Sequence, residues 1–194
     1  MWVYTKQLEV PVEPRRTNPR LASYIFAQFG GPDSEFGAAW RYFSQSFAAP
    51  TTEARAVLID IGTEELAHLE MIGTLIRKLT EDATPAELAA AGMGAHYAQH
   101  GYNLWLHDAA GVPWTTAYVQ SYDDPVTIFH ENLAAEAKAR SGYEAILDLA
   151  KGEGDEGVNH VLAFLRQREV THFQRFGEEL DRVQEWLDQS HQEY

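Results

Sequence analysis

Residues 58–76, LIDIGTEELAHLEMIGTLI, decide how this chain reads. At helical spacing Leu58, Ile61, Glu65, His68, Ile72 and Ile76 fall on one face. Such a stripe belongs to a core, yet its centre holds a carboxylate and an imidazole three residues apart. An unpaired buried carboxylate costs several kcal/mol or gives up its charge, so Glu65 needs a partner. Glu-x-x-His on the inner face of a bundle helix is the ligand arrangement of carboxylate-bridged dinuclear metal proteins. Glu64 also precedes this pair, but only Glu65 has a histidine at the third position. A second such pair, Glu169-Val170-Thr171-His172, lies near the other end of the chain.

Four long helices follow from the caps and breaks around these pairs. The first is expected over about 33–48, after Gly30-Gly31-Pro32, and the second from Thr51-Thr52 to about 79. The third opens at Asp124-Pro125 and runs to about 151; the fourth follows the 152–157 turn and ends near 189. Asn18-Pro19 starts an earlier helix to about 29, and Thr84-Pro85-Ala86-Glu87 a short one of two turns. Residues 1–14 alternate Trp2, Tyr4, Leu8, Val10, Val12 and carry Pro11 and Pro14, which predicts an extended arm. From 92 to 124 no helical period is evident, while Tyr97, Tyr102, Trp105, Trp114, Tyr118 and Tyr122 crowd the segment. Trp114, Thr116 and Tyr118 alternate with Thr115, Ala117 and Val119, a pattern expected of a short strand. Together these predict one all-α domain over 1–194: a ferritin-like four-helix bundle with one long crossover at 92–124 and an arm at 1–14.

Each long helix carries an acid in its apolar stripe. On the last helix Val161, Leu165, Glu169, His172, Phe176, Leu180 and Val183 align; on the third, Phe129, Leu133, Glu136, Tyr143 and Leu147. The first offers Glu35, with Ala39, Tyr42 and Ser46 on the same face. One Glu-x-x-His recurs by chance; two, each central and accompanied by single central glutamates, point to a dinuclear site. Carboxylate and imidazole suit manganese or iron equally. Spacing alone makes Glu169 a sixth ligand. Tyr42, two turns below Glu35, is placed to hydrogen-bond a ligand carboxylate. His96 and His100 are four apart among glycines, and they, His107, His130, His160 and His191 read as loop or surface histidines.

Composition limits the alternatives. With 15 Lys+Arg against 29 Asp+Glu the formal charge is −14, which repels phosphate backbones and argues against nucleic acid. No apolar run reaches the length of a membrane span, the first residues lack a signal-peptide pattern, and a cytoplasmic location is the default expectation. Cysteine is absent, so thiolate sites and cysteine nucleophiles are excluded.

The stretches GTEELAHLEMI (62–72), AAEAKAR (134–140) and REVTHFQRF (168–176) resemble the manganese catalases, closest to their short spore-coat members. GG-x3-E-x6-Y (30–42), AAGVPWTTAYVQ (109–120) and the YTKQL opening add to the resemblance. It implies two manganese ions, with Glu35 and His68 terminal on one, Glu136 and His172 on the other, and Glu65 bridging. It places Glu169 outside the ligand set, near metal-bound solvent, as a proton shuttle, and Tyr42 as an outer-shell tyrosine. It implies hydrogen peroxide as substrate, a homo-oligomer (a hexamer in the longer members), and coat proteins as partners for a spore-coat member. Two departures stand out: the chain stops at Tyr194, without the long tail of the larger catalases, and Ala135 stands where they usually carry an arginine. A di-iron oxidase or ferroxidase on the same bundle, or a structural coat component with a metal site, are the rival readings.

Overall fold

The computed structural model describes residues 3–5 and 7–191. Among the described residues seven α-helices follow in order: α1 Pro19–Gly30, α2 Glu35–Gln45, α3 Thr52–Thr80, α4 Pro85–Ala90, α5 Gly94–His100, α6 Pro125–Lys151 and α7 Glu156–His191. Side-chain caps start most of them where the sequence predicts. Asn18 Oδ1 accepts from Leu21 N at 3.0 Å, Thr51 Oγ1 from Ala54 N at 3.0 Å, and Asp124 Oδ1 from Thr127 N at 2.7 Å. Thr84 and Glu87 form a reciprocal capping box.

The bundle has four rods, but its first rod is broken. α1 packs Leu21, Ile25 and Phe26 with Met71, Ile72 and Leu75 of the C-terminal half of α3. α2 packs Ala38 and Tyr42 with Ala54, Leu58 and Ile61 of its N-terminal half. The helix expected over 33–48 therefore begins at Glu35, after a Ser34 cap, and tightens into a 3-10 turn at Ser46–Ala48. The break is held by contact: a Cβ on Gly30 would lie 2.4 Å from the backbone N of His107. Only glycine lets the crossover touch the end of α1 there.

Between α3 and α6 the crossover differs from expectation in two places. Gly94–His100 is α-helical in spite of its glycines, because Met93 and Tyr97 pack against the α1–α3 cluster and supply what propensity lacks. Thr116–Tyr118 is a 3-10 turn with Thr115 capping Ala117 N, not a strand. A β-strand needs a paired neighbour, and among the described residues the crossover holds only an isolated bridge, His107 with Pro113.

Leu8, Val10 and Val12 of the arm alternate inward onto the α1–α3–α7 cluster, as their spacing predicts. Tyr4 is half-exposed, and its hydroxyl donates to Glu70 Oε1 at 2.7 Å. Trp2 lies outside the described residues. The arm is tied down at its end, where Arg15 N donates to Asp155 Oδ2 at 2.8 Å. A Cβ on Gly157 would meet the Glu13 carbonyl oxygen at 1.8 Å, so α7 starts directly against the arm. No helix among the described residues is long and apolar enough to cross a membrane.

Candidate metal centre

The four rods each deliver their central acid to one buried volume. Glu35 is the first residue of α2; Glu65 and His68 lie mid-way along α3, Glu136 along α6, Glu169 and His172 along α7. All six are buried, with Glu65, His68 and His172 at 0% exposure. The predicted stripes of α2, α3 and α7 are the buried faces. On α6 the stripe is rotated: Asn132, Ala139 and Ile146 are buried while Leu133 and Leu147 are half-buried. Asn132 is tolerated inside because its Nδ2 donates to Gln45 Oε1 at 2.7 Å.

Glu65 is the centre of the geometry. Its Oε2 lies 3.0 Å from His68 Nδ1, and its Oε1 2.9 Å from His172 Nδ1. Each oxygen of one carboxylate thus faces a different histidine on a different helix. His68 Nδ1 is also 3.4 Å from Glu35 Oε2, and His172 Nδ1 3.5 Å from Glu136 Oε2. The two imidazoles stack at 5.6 Å between ring centres. Two overlapping donor sets result, Glu35–Glu65–His68–Glu169 and Glu65–Glu136–Glu169–His172, with ligand atoms within 4.8 Å of one another in each. Glu65 and Glu169 belong to both.

The arrangement has an approximate two-fold repeat that the sequence carries openly. Glu35 is followed seven residues later by Tyr42, and Glu136 seven residues later by Tyr143. Each tyrosine crosses to the other helix: Tyr42 Oη donates to Glu136 Oε1, and Tyr143 Oη donates to Glu35 Oε1. Tyr42 therefore reaches a site carboxylate as expected, on α6 and not on its own helix. Tyr143, read from sequence as a core residue, is its counterpart. The repeated Glu-x6-Tyr spacing was the signal for it. Two further site residues were passed over. Glu64 Oε1 stands 3.3 Å from His172 Nε2 and 3.5 Å from His68 Nε2, and Arg168 Nε donates to it at 2.6 Å.

The electrostatics are those of a cluster short of positive charge. Burial, then the neighbouring Glu65 charge, pushes the Glu35 carboxyl up to about 8 from an ordinary 4.5. The same two causes raise Glu136. Burial, then the charges of Glu35, Glu65 and Glu136, raises Glu169 well above the carboxylate range. Burial opposes ionisation of Glu65 too, but His172 and His68 overcome it and hold that carboxyl low. Burial disfavours the imidazoliums, yet the surrounding carboxylates push His172 up to about 12 and His68 well above its ordinary value. Oxygens of Glu35, Glu65, Glu136 and Glu169, Nδ1 of His172 and Nε2 of both His68 and His172 lack hydrogen-bond partners although buried. Converging, unpaired hard oxygen and imidazole donors in two sets sharing Glu65 and Glu169 fit divalent cations of the manganese or iron type.

The remaining histidines of the crossover are elsewhere. His107 stacks on Phe26 at 4.2 Å and shares a ring-nitrogen contact of 3.0 Å with His96, while His100 stacks on Trp105. They line a separate cavity of about 210 Å³ between α1, α5 and the crossover that contains no carboxylate.

Known proteins match this chain in sequence and in fold. A family profile described as manganese-containing catalase matches residues 1–190. Protein CotJC of Bacillus subtilis is 46% identical over 188 residues, spanning 97% of each chain. The manganese catalase of Lactiplantibacillus plantarum is 34% identical over 196 residues, covering 93% of this chain and 73% of that one. The crystal structure of KatB, a manganese catalase from Anabaena PCC7120, superposes with a TM-score of 0.86 at 34% identity. The match covers 94% of this chain and 81% of that one.

Proposed function

Because this chain belongs to the manganese-containing catalase family, we propose that it disproportionates hydrogen peroxide, two molecules giving two of water and one of dioxygen. The observation that carries this reading is Glu65, whose two oxygens face the histidines of two different helices. In this reading Glu35, Glu65 and His68 hold one manganese ion, and Glu65, Glu136 and His172 the other. When bound, the pair of ions supplies a two-electron store that takes electrons from one peroxide and returns them to the next, with no outside reductant.

The protein's own groups do the rest. Glu169 accepts a proton from an incoming peroxide oxygen at its partnerless Oε1 and returns it to the departing oxygen as water forms. Its high affinity for a proton in the metal-free cluster falls once cations stand beside it, since a bound ion reverses the local charge balance. Tyr42 and Tyr143 stay protonated, because burial raises both well above 10, and each hydroxyl fixes a ligand carboxylate in orientation. Ile61, Ile72, Phe129 and Phe176, all fully buried on the helices that carry the acids, help keep competing water out.

The test is elemental analysis of purified protein together with an oxygen electrode. Two manganese ions per chain and oxygen release on adding peroxide alone are expected. Oxygen consumption that needs a reductant, with iron in the site, would overturn the reading in favour of a di-iron oxidase. The placement of Glu169 in both donor sets is the observation on that side.

The same proposal takes the chain as one domain in the cytoplasm or in a spore coat, forming a homo-oligomer or docking to coat proteins. Trp40, Phe47, Trp105, Phe173 and Trp186 are exposed large apolar groups, with Phe47 at 80%, and support such contacts. Sedimentation as a monomer at micromolar concentration would count against self-assembly.

A further inference from the structure

The two-fold repeat of the centre fails at the residue before each Glu-x-x-His pair. Glu65-x-x-His68 on α3 corresponds to Glu169-x-x-His172 on α7, so the residue before each acid should correspond as well. Those residues are Glu64 and Arg168, of opposite charge, and they pair with each other across the helices at 2.6 Å. One carboxylate consequently serves both halves. Glu64 Oε1 faces His172 Nε2 at 3.3 Å and His68 Nε2 at 3.5 Å, while both Nδ1 atoms face inward to Glu35, Glu65 and Glu136. The nearest other acid outside the cluster, Glu9 of the arm, is 4.0 Å from His68 Nε2, beyond hydrogen-bonding reach.

We propose that Glu64, anchored by Arg168, is the positioning residue for both ligand histidines. It keeps the proton of each imidazole on Nε2 and turns both Nδ1 lone pairs toward the metals. The inference rests on the dinuclear reading above and deepens it. A histidine ligand is oriented by what its other nitrogen donates to, and a carboxylate there also makes the ring a stronger base. Usually each histidine has its own partner; here a single oxygen orients two, from two helices, and so fixes their separation too. Because Arg168 neutralises Glu64, the pair orients the rings without adding net charge to the centre.

A plain helix–helix ion pair would look similar from outside, and the fold provides a control for that role. Arg175 and Asp60 join the same two helices at 2.6 Å with no contact to either histidine. The experiment measures competitive Mn2+ affinity, with circular dichroism of each metal-free protein, for wild type, Glu64→Gln, Arg168→Gln, their double variant and Arg175→Gln. Glu64→Gln is expected to weaken Mn2+ binding by roughly 10–100-fold, the usual effect of removing an outer partner of a metal-bound histidine. Arg168→Gln should weaken it less, and the double variant no more than Glu64→Gln, because Arg168 acts through Glu64. Arg175→Gln should bind Mn2+ as wild type does. Equal affinity for Glu64→Gln and wild type, or equal losses for Arg175→Gln and Arg168→Gln, would overturn the assignment. Should Glu64→Gln fail to fold, Arg168→Gln against Arg175→Gln decides alone. A wild-type protein that takes up no Mn2+ would refute the dinuclear reading instead.

Discussion

Loading the centre should expel a countable number of protons. In the metal-free protein at pH 7, His68 and His172 are imidazolium, held so by the carboxylates around them with His172 at about 12. Glu35, pushed up to about 8 by burial and Glu65, is mostly protonated at that pH. All three must lose a proton to become ligands, and Glu169, also raised, must lose one to serve as the base, so uptake of two Mn2+ should release about four protons per chain at pH 7. The logarithm of the overall binding constant should then climb by about four per pH unit near pH 7, easing by about one above pH 8 as Glu35 ionises unaided. The sign for folding is the reverse. These groups bind protons more tightly folded than unfolded, so their stabilisation is complete below the unfolded values of 4.5 for Glu35 and 6.5 for the histidines. It is lost as pH rises, between 4.5 and about 8 for Glu35 and between 6.5 and about 12 for His172. Glu65, whose carboxyl is held low, contributes oppositely and fails only on acidification below 4.5. Metal-free protein should therefore melt at progressively lower temperature from pH 6 to pH 8, while the manganese form holds or gains. Titration calorimetry in buffers of different ionisation enthalpy counts the protons. Release of fewer than one, or a metal-free protein that gains stability over that range, would refute this account of the cluster.

Glu169→Gln should retain both metals yet lose about 10²–10⁴-fold in peroxide turnover, since the amide keeps the shape and removes the proton acceptor; loss of one metal would make Glu169 a ligand. Tyr42→Phe and Tyr143→Phe each leave a buried carboxylate oxygen without its donor and should each cost about 1–3 kcal/mol of stability, read from denaturant midpoints. Closely similar losses in the two variants would support the two-fold repeat, and no loss in either would remove the crossed hydrogen bonds from the account. Gly157→Ala sets a Cβ against the Glu13 carbonyl and should destabilise by about 1–3 kcal/mol. Limited proteolysis should then cut the arm near 8–15 faster; an unchanged digestion pattern would mean the arm yields without cost.

Much of this protein is local, and the sequence alone determined that part. Caps such as Asn18-Pro19 and Asp124-Pro125 fix helix starts because they satisfy donors within three residues. Glu65, His68, Glu169 and His172 were legible because an ionisable group at the centre of an apolar stripe breaks a period that only burial imposes. Leu8, Val10 and Val12 declared their inward face by alternation in the same way. What periodicity does not carry is the partner across the bundle. Tyr42 and Tyr143 lie on core faces whatever they touch, and only the packing of α2 on α6 gives each the carboxylate of the other's helix. Glu64 and Arg168 sit at the edge of their stripes, ordinary surface positions until α3 and α7 bring both imidazoles to one carboxylate oxygen. The helix at Gly94–His100 and the break between α1 and α2 were likewise settled by tertiary contact, through Tyr97 on the core and Gly30 against His107. Local signals choose the elements and their buried faces; distances between side chains on different helices exist only once the helices have packed.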